Sequence, residues 1–72
     1  MATEHDHLAQ AIRHIARAEE MVAEQRGRIE RMGEHSQDTK LAKDMLLTMQ
    51  SSLDRMHEHR EMIERAIAAG RK

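Results

Sequence analysis

The chain contains no cysteine, no proline and no aromatic residue, and only three of its 72 residues are glycine. Without cysteine, neither a disulfide nor a thiolate metal site can form. Aromatic and β-branched residues favour strands, whereas Ala, Leu, Met, Glu, Arg and Gln favour helices, and the second group dominates here. We therefore predict an all-α protein. The lack of cysteine also fits a reducing compartment, so we expect a cytoplasmic protein.

Long apolar runs and a large net charge are also missing. The formal net charge is −1, and the charged residues, 35% of the chain, carry both signs. A membrane span needs about 20 consecutive apolar residues, so we expect no membrane segment. The near-neutral balance gives no strong field that would favour nucleic acid. Because Met1–His7 has no basic segment followed by an apolar core, we also expect no signal peptide.

Two seven-residue repeats organise the chain. In the second half, apolar residues recur at alternating steps of four and three, with Arg60 as the one exception. In the first half, large apolar residues recur every seven positions, with smaller or polar ones between them. Each repeat places an apolar seam along one face of a helix, and such a seam requires a partner helix. The seams are Leu8, Ala11, Ile15, Ala18, Val22, Gln25, Ile29 and Met32, then Ala42, Leu46, Met49, Leu53, Met56, Arg60, Ile63 and Ile67.

Cap and turn residues predict the ends of both helices. Thr3 can cap a first helix over about 4–32, and Gly33 can end it. The turn is expected at 33–37, followed by a second helix over about 38–69. Residues 1–72 then form a single helical hairpin.

The short turn makes the two helices antiparallel neighbours. We expect Ser36 or Asp38 to cap the second helix. With the turn centred at His35 and Ser36, the two repeats fall into register, which supports the hairpin. The predicted pairs are Leu8 with Ile63, Ala11 with Arg60, Ile15 with Met56, Ala18 with Leu53, Val22 with Met49, Gln25 with Leu46, and Ile29 with Ala42.

Six large apolar residues lie outside both seams, where a lone hairpin cannot bury them. A second copy would cover them, giving a four-helix bundle from two hairpins. We therefore predict a homodimer whose interface contains Ile12, Met21, Leu41, Met45, Leu47 and Met62.

The chain contains six histidines, and because histidine is a common metal ligand, a metal site is one hypothesis. In the predicted register His14 and His59 flank the seam on the same side, and such a pair can hold a divalent transition metal. However, no glutamate occupies a seam position, and flanking histidines are usually solvated. The pair is a candidate site, and no cofactor is expected.

Polar seam positions and a basic cluster have structural and functional readings. Arg60 and Gln25 interrupt the seams, and such residues commonly fix register or oligomeric state. A contact with an anion or a partner is the alternative.

Basic residues near the turn could bind nucleic acid, but acidic residues alternate with them and no aromatic residue is present to stack on bases. These basic residues are Arg26, Arg28, Arg31, Lys40 and Lys43.

Signatures of catalysis are missing from the sequence. Ser36, Ser51 and Ser52 lie in no G-x-S-x-G elbow, and phosphate-loop and dinucleotide motifs are absent. We therefore predict a small, non-enzymatic interaction or regulatory module that acts through a homodimeric bundle, with an unidentified protein as a possible further partner. The alternatives are a nucleic-acid-binding regulator and a small histidine-based metal-binding bundle.

Several short runs carry a resemblance that covers nearly the whole chain. They are His14–Ala16, Val22–Arg26, Ile29–Arg31, Asp38–Thr39, Met45–Leu46 and Glu58–Arg60. In these runs the sequence resembles a group of short, uncharacterised helical-hairpin proteins of alphaproteobacteria. The resemblance implies a bacterial cytosolic hairpin and no known activity.

Overall fold

Two long α-helices make up the part of the chain that the computed structural model describes, residues 3–33 and 37–70. Helix α1 spans Glu4–Met32 and helix α2 spans Gln37–Ala69. They pack side by side in a hairpin that measures 57 × 16 × 15 Å. The predicted all-α hairpin is confirmed. The sequence placed the helices at 4–32 and 38–69, so the bounds differ by one residue, at the start of α2.

A capping box begins α1. The Asp6 backbone N–H donates to Thr3 Oγ1 at 3.1 Å, and the Thr3 backbone N–H donates to Asp6 Oδ2 at 3.0 Å. The predicted cap at Thr3 is therefore confirmed. Hydrogen bonding by Thr3, chiefly from its backbone N–H to the carboxylate, holds the pKa of the Asp6 carboxyl below its ordinary value.

Gly33 ends α1 with φ 83° and ψ 162°, a backbone conformation that is essentially restricted to glycine. The Thr39 hydroxyl reaches back and donates to the Gly33 carbonyl oxygen at 2.6 Å, which ties the start of α2 to the end of α1. Asp38 is the second residue of α2 rather than its cap, because the helix already begins at Gln37. The other predicted cap, Ser36, lies outside the described residues.

The core between the two helices is thin. Its buried apolar residues are Ala11, Ile15, Val22 and Ala42, and Ile15, at 3% exposure, is the most enclosed of them. Two of these four residues are alanines, which contribute little apolar volume. The remaining apolar seam residues are only half-buried: Leu8, Ala18, Ile29, Met32, Leu46, Met49, Leu53, Met56, Ile63 and Ile67. In the described ranges, neither helix combines the length and hydropathy that crossing a bilayer requires.

Candidate interaction surfaces of the hairpin

The two flanks of the seam differ in chemistry. On one flank, which we call the methionine side, a depression of about 190 Å³ has no charged residue among the described residues that line it. On the other flank, the charged side, a depression of about 420 Å³ contains both acidic and basic side chains. The lining residues are Ala18, Met21, Thr48, Met49, Ser52 and Met56 on the methionine side, and Glu19, Val22, Ala23, Arg26, Gln50, Leu53 and Asp54 on the charged side.

The charged side stays polar towards both ends of the hairpin. Near the turn, Glu30 and Lys43 line one depression. Near the open end, His5 and Glu64 line another, next to Leu8. Charges of both signs along this flank favour solvent over an apolar partner.

All six large apolar residues that the sequence places off the seam are exposed, with exposed fractions from 42% to 64%. Their predicted exposure is confirmed, and their role as an interface stays a prediction. They are Ile12, Met21, Leu41, Met45, Leu47 and Met62.

Four of these six residues lie on the methionine side. Met21 lines its depression directly. Residues seven apart in a helix lie close to one face, so Met45, one heptad before Ser52, and Leu41, one heptad before Thr48, flank the same surface. Met62 continues it towards the open end, two heptads after Thr48.

The other two exposed apolar residues, Ile12 and Leu47, lie on the charged side. Ile12 comes one heptad before Glu19, and Leu47 one heptad before Asp54, and both acids line the charged-side depression. A single contact over the methionine side therefore leaves Ile12 and Leu47 uncovered.

The polar seam residues are satisfied by bonds within the chain. Gln25 is buried, and its Nε2–H donates to the Ala42 carbonyl oxygen of the other helix at 2.9 Å. The sequence register pairs Gln25 with Leu46, which lies one helical turn after Ala42 in α2. The half-buried Arg60 donates from Nε to Glu64 Oε1 at 2.8 Å. These bonds support the structural reading of both positions.

His14 and His59 line one depression of about 230 Å³, together with Ala11, Arg55 and Met56. The predicted approach of the two histidines from opposite helices is therefore present. Within residues 3–33 and 37–70, however, no group of three or more His, Cys, Asp or Glu side chains could hold a metal ion. The guanidinium of Arg55 beside the pair also disfavours a cation. The metal site stays a prediction.

The basic residues near the turn are divided between the flanks. Arg26 shares its depression with Glu19 and Asp54, and Lys43 shares its own with Glu30. Nearby acids weaken the local attraction for phosphate.

The remaining three basic residues follow the same division. Arg28 lies one heptad after Met21, on the methionine side, with Arg31 further out on that flank. Lys40 lies one heptad before Leu47, on the charged side. The five basic residues therefore do not form one continuous face.

Comparison of the chain with protein-family models, with curated proteins and with solved structures gives no significant match. The resemblance to alphaproteobacterial hairpin proteins therefore stays a prediction.

Proposed function

We propose that the chain is a non-enzymatic interaction module that works as a homodimer, with the methionine sides of two copies facing each other in a four-helix bundle. One observation carries this proposal. Four exposed large apolar side chains lie on the flank whose depression is lined by Ala18, Met21, Thr48, Met49, Ser52 and Met56. An apolar surface of this kind on a small protein marks an interaction site.

A second copy is the occupant that the surface suits best. A two-fold contact uses the same patch twice, so the patch must supply both projecting and receiving positions. Large Met21 and Met49 lie beside small Ala18 and Ser52 in one depression, which meets this requirement. The described residues that line this depression carry no charge, whereas the next depression along the same flank contains Arg55.

The dimensions also allow a dimer. The hairpin extends over 57 × 16 Å, so a contact would have to use nearly the whole outline of one side, on the order of 900 Å², to reach the roughly 800 Å² per partner of a standard stable interface. The thin core supplies the driving force. Complete burial of a Met or Leu side chain stabilises by about 1.5–3 kcal/mol, and a domain this small has little stability to spare.

Sedimentation equilibrium and light scattering at micromolar concentration test the proposal. We expect about twice the chain mass of 8.4 kDa and a melting temperature that rises with protein concentration, because dimerisation stabilises the folded chain by mass action. A folded monomer whose melting does not depend on concentration would overturn the homodimer.

A small histidine-based metal-binding bundle stays an alternative, as do two other functions. A nucleic-acid-binding regulator would retain RNA or DNA in a salt-dependent way, and Arg28→Ala and Arg31→Ala would abolish that retention. A further protein partner would bind the charged side through Ile12 and Leu47, which the proposed dimer leaves open. A cytoplasmic location, which the absence of cysteine fits, belongs to the same proposal.

A further inference from the structure

We propose that His14, Arg55 and His59 form a binding site for a small anion of the phosphate or carboxylate class. Arg55 and His59 are one turn apart on α2, and His14 reaches the same depression from α1. All five lining residues belong to one chain, but each lies one heptad from a residue that lines the methionine-side depression. The site therefore shares a flank with the proposed dimer interface, and anion binding is expected to depend on dimerisation.

The side chains around the depression are donors, not acceptors, for an anion. A guanidinium offers a planar fork of N–H groups that matches a carboxylate or a phosphate, and each imidazole offers an N–H group. Arg55 makes no ion pair within 4.0 Å in the described part of the chain, so its fork is available.

The surroundings strengthen this preference. The described residues that line the depression are Ala11 and His14 from α1 and Arg55, Met56 and His59 from α2, and none of them is a carboxylate. An anion therefore meets no repelling charge in the depression. Ala11 and Met56 form its apolar part, and His14, Arg55 and His59 are all exposed, so an anion in solution can reach them.

The pH dependence separates an anion from a metal ion at the same histidines. Histidine gains a proton and a positive charge between about pH 8 and pH 5. An anion such as acetate, whose charge does not change between pH 8 and pH 6, is therefore expected to bind protonated imidazoles more strongly at the lower pH. Metal binding would weaken over the same range, because a metal ion needs the neutral imidazole.

The test is a titration of the whole chain with sodium orthophosphate, and in a second arm with acetate, at constant ionic strength kept with sodium chloride. The ring signals of the histidines are followed by NMR at pH 6 and pH 8. We expect saturable shifts of His14 and His59 in both arms. The comparison of pH 6 with pH 8 uses the acetate arm, because orthophosphate itself gains a proton over this range. His57 serves as an internal control, because it lies one heptad after Gln50, on the charged side. The stronger of the two arms identifies the preferred class of anion.

Matched variants assign the effect to Arg55. Arg55→Gln is expected to weaken binding about tenfold, since it removes the charge-assisted bonds, and Arg55→Lys to weaken it less. Arg65→Gln is the control, because Arg65 is exposed and faces Glu61 at 4.0 Å, away from the depression. Arg55 is itself exposed, so the variants are expected to keep the helical circular dichroism of the parent chain.

Three outcomes would overturn the inference. The first is the lack of a saturable shift of His14 and His59 in the unmodified chain, a measurement that needs no variant. The second is unchanged affinity in a helical Arg55→Gln chain. The third is saturable shifts with zinc, copper or nickel that strengthen with rising pH, with none from phosphate or acetate, which would assign the histidines to a metal ion.

Discussion

Replacing Met45 by glutamate tests which flank of the hairpin associates. Glutamate is a good helix former, and Met45 is 49% exposed in the single hairpin, so we expect the fold to remain. In the proposed dimer the exposed half of this side chain becomes buried. Complete burial of a Met side chain stabilises by about 1.5–3 kcal/mol, so half of it contributes about 1 kcal/mol per copy.

The two-fold axis doubles this loss to about 2 kcal/mol per dimer, which corresponds to a dissociation constant raised roughly 30-fold. Desolvation of the two new carboxylates adds to that effect. The dissociation constant would be measured by sedimentation equilibrium over a range of concentrations, with circular dichroism to verify that the variant is helical.

Leu47→Glu is the matched control for this experiment. It introduces the same charge two residues away, at a side chain that is 63% exposed, but on the charged side. We expect a dissociation constant within about threefold of the parent value, as is usual for substitutions outside an interface. Equal weakening by the two variants, or none from Met45→Glu, would refute the assignment of the interface to the methionine side.

Three further predictions concern the hairpin itself, each measured by urea unfolding. Gly33→Ala is expected to lower the free energy of unfolding by about 1–3 kcal/mol, because φ is 83° although an added Cβ would meet nothing within 4 Å; an unchanged value would contradict the strained turn. Ile15→Ala is expected to cost about 2–4 kcal/mol and Ile12→Ala about 1 kcal/mol or less, because Ile15 is buried and Ile12 is exposed; equal costs would place the seam wrongly. Asp6→Asn is expected to destabilise at neutral pH, because the folded state lowers the pKa of this carboxyl. That stabilisation is complete above the ordinary aspartate pKa of about 4 and is lost as the pH falls through the lowered value, so a difference that grows on acidification would contradict the capping box.

The fold is predictable because each of its determinants is local or periodic. The seven-residue repeats define the seams, and Thr3 and Gly33 mark the two ends of α1 by cap chemistry and by a positive φ. The start of α2 is less certain from sequence, since Gln37, Asp38 and Ser36 can all begin a helix. The structure starts α2 at Gln37, and Thr39 ties this first turn to the Gly33 carbonyl.

The sides of the hairpin are harder to read from sequence. The repeats identify which large apolar residues lie off the seam, but they do not say how the small seam residues shape the surface. Alanine at positions such as Ala11 and Ala18 leaves depressions beside the seam, and the chemistry of each depression depends on side chains from both helices. Arg55 was missed for this reason. Its spacing of four residues from His59 is the signal that could have placed it beside the predicted histidine pair.

Folding, association and anion binding are coupled through shared residues. Met56 is a seam residue, yet it lines the apolar depression of the methionine side and also the depression of His14, Arg55 and His59. A substitution at Met56 would therefore change three equilibria at once and could assign none of them, whereas Met45 and Arg55 are exposed in the single hairpin. The same sharing has a thermodynamic consequence. If the dimer binds the anion more tightly than the monomer does, the anion must strengthen dimerisation by the same factor for each site occupied, so sedimentation with and without phosphate measures the coupling between the two sites.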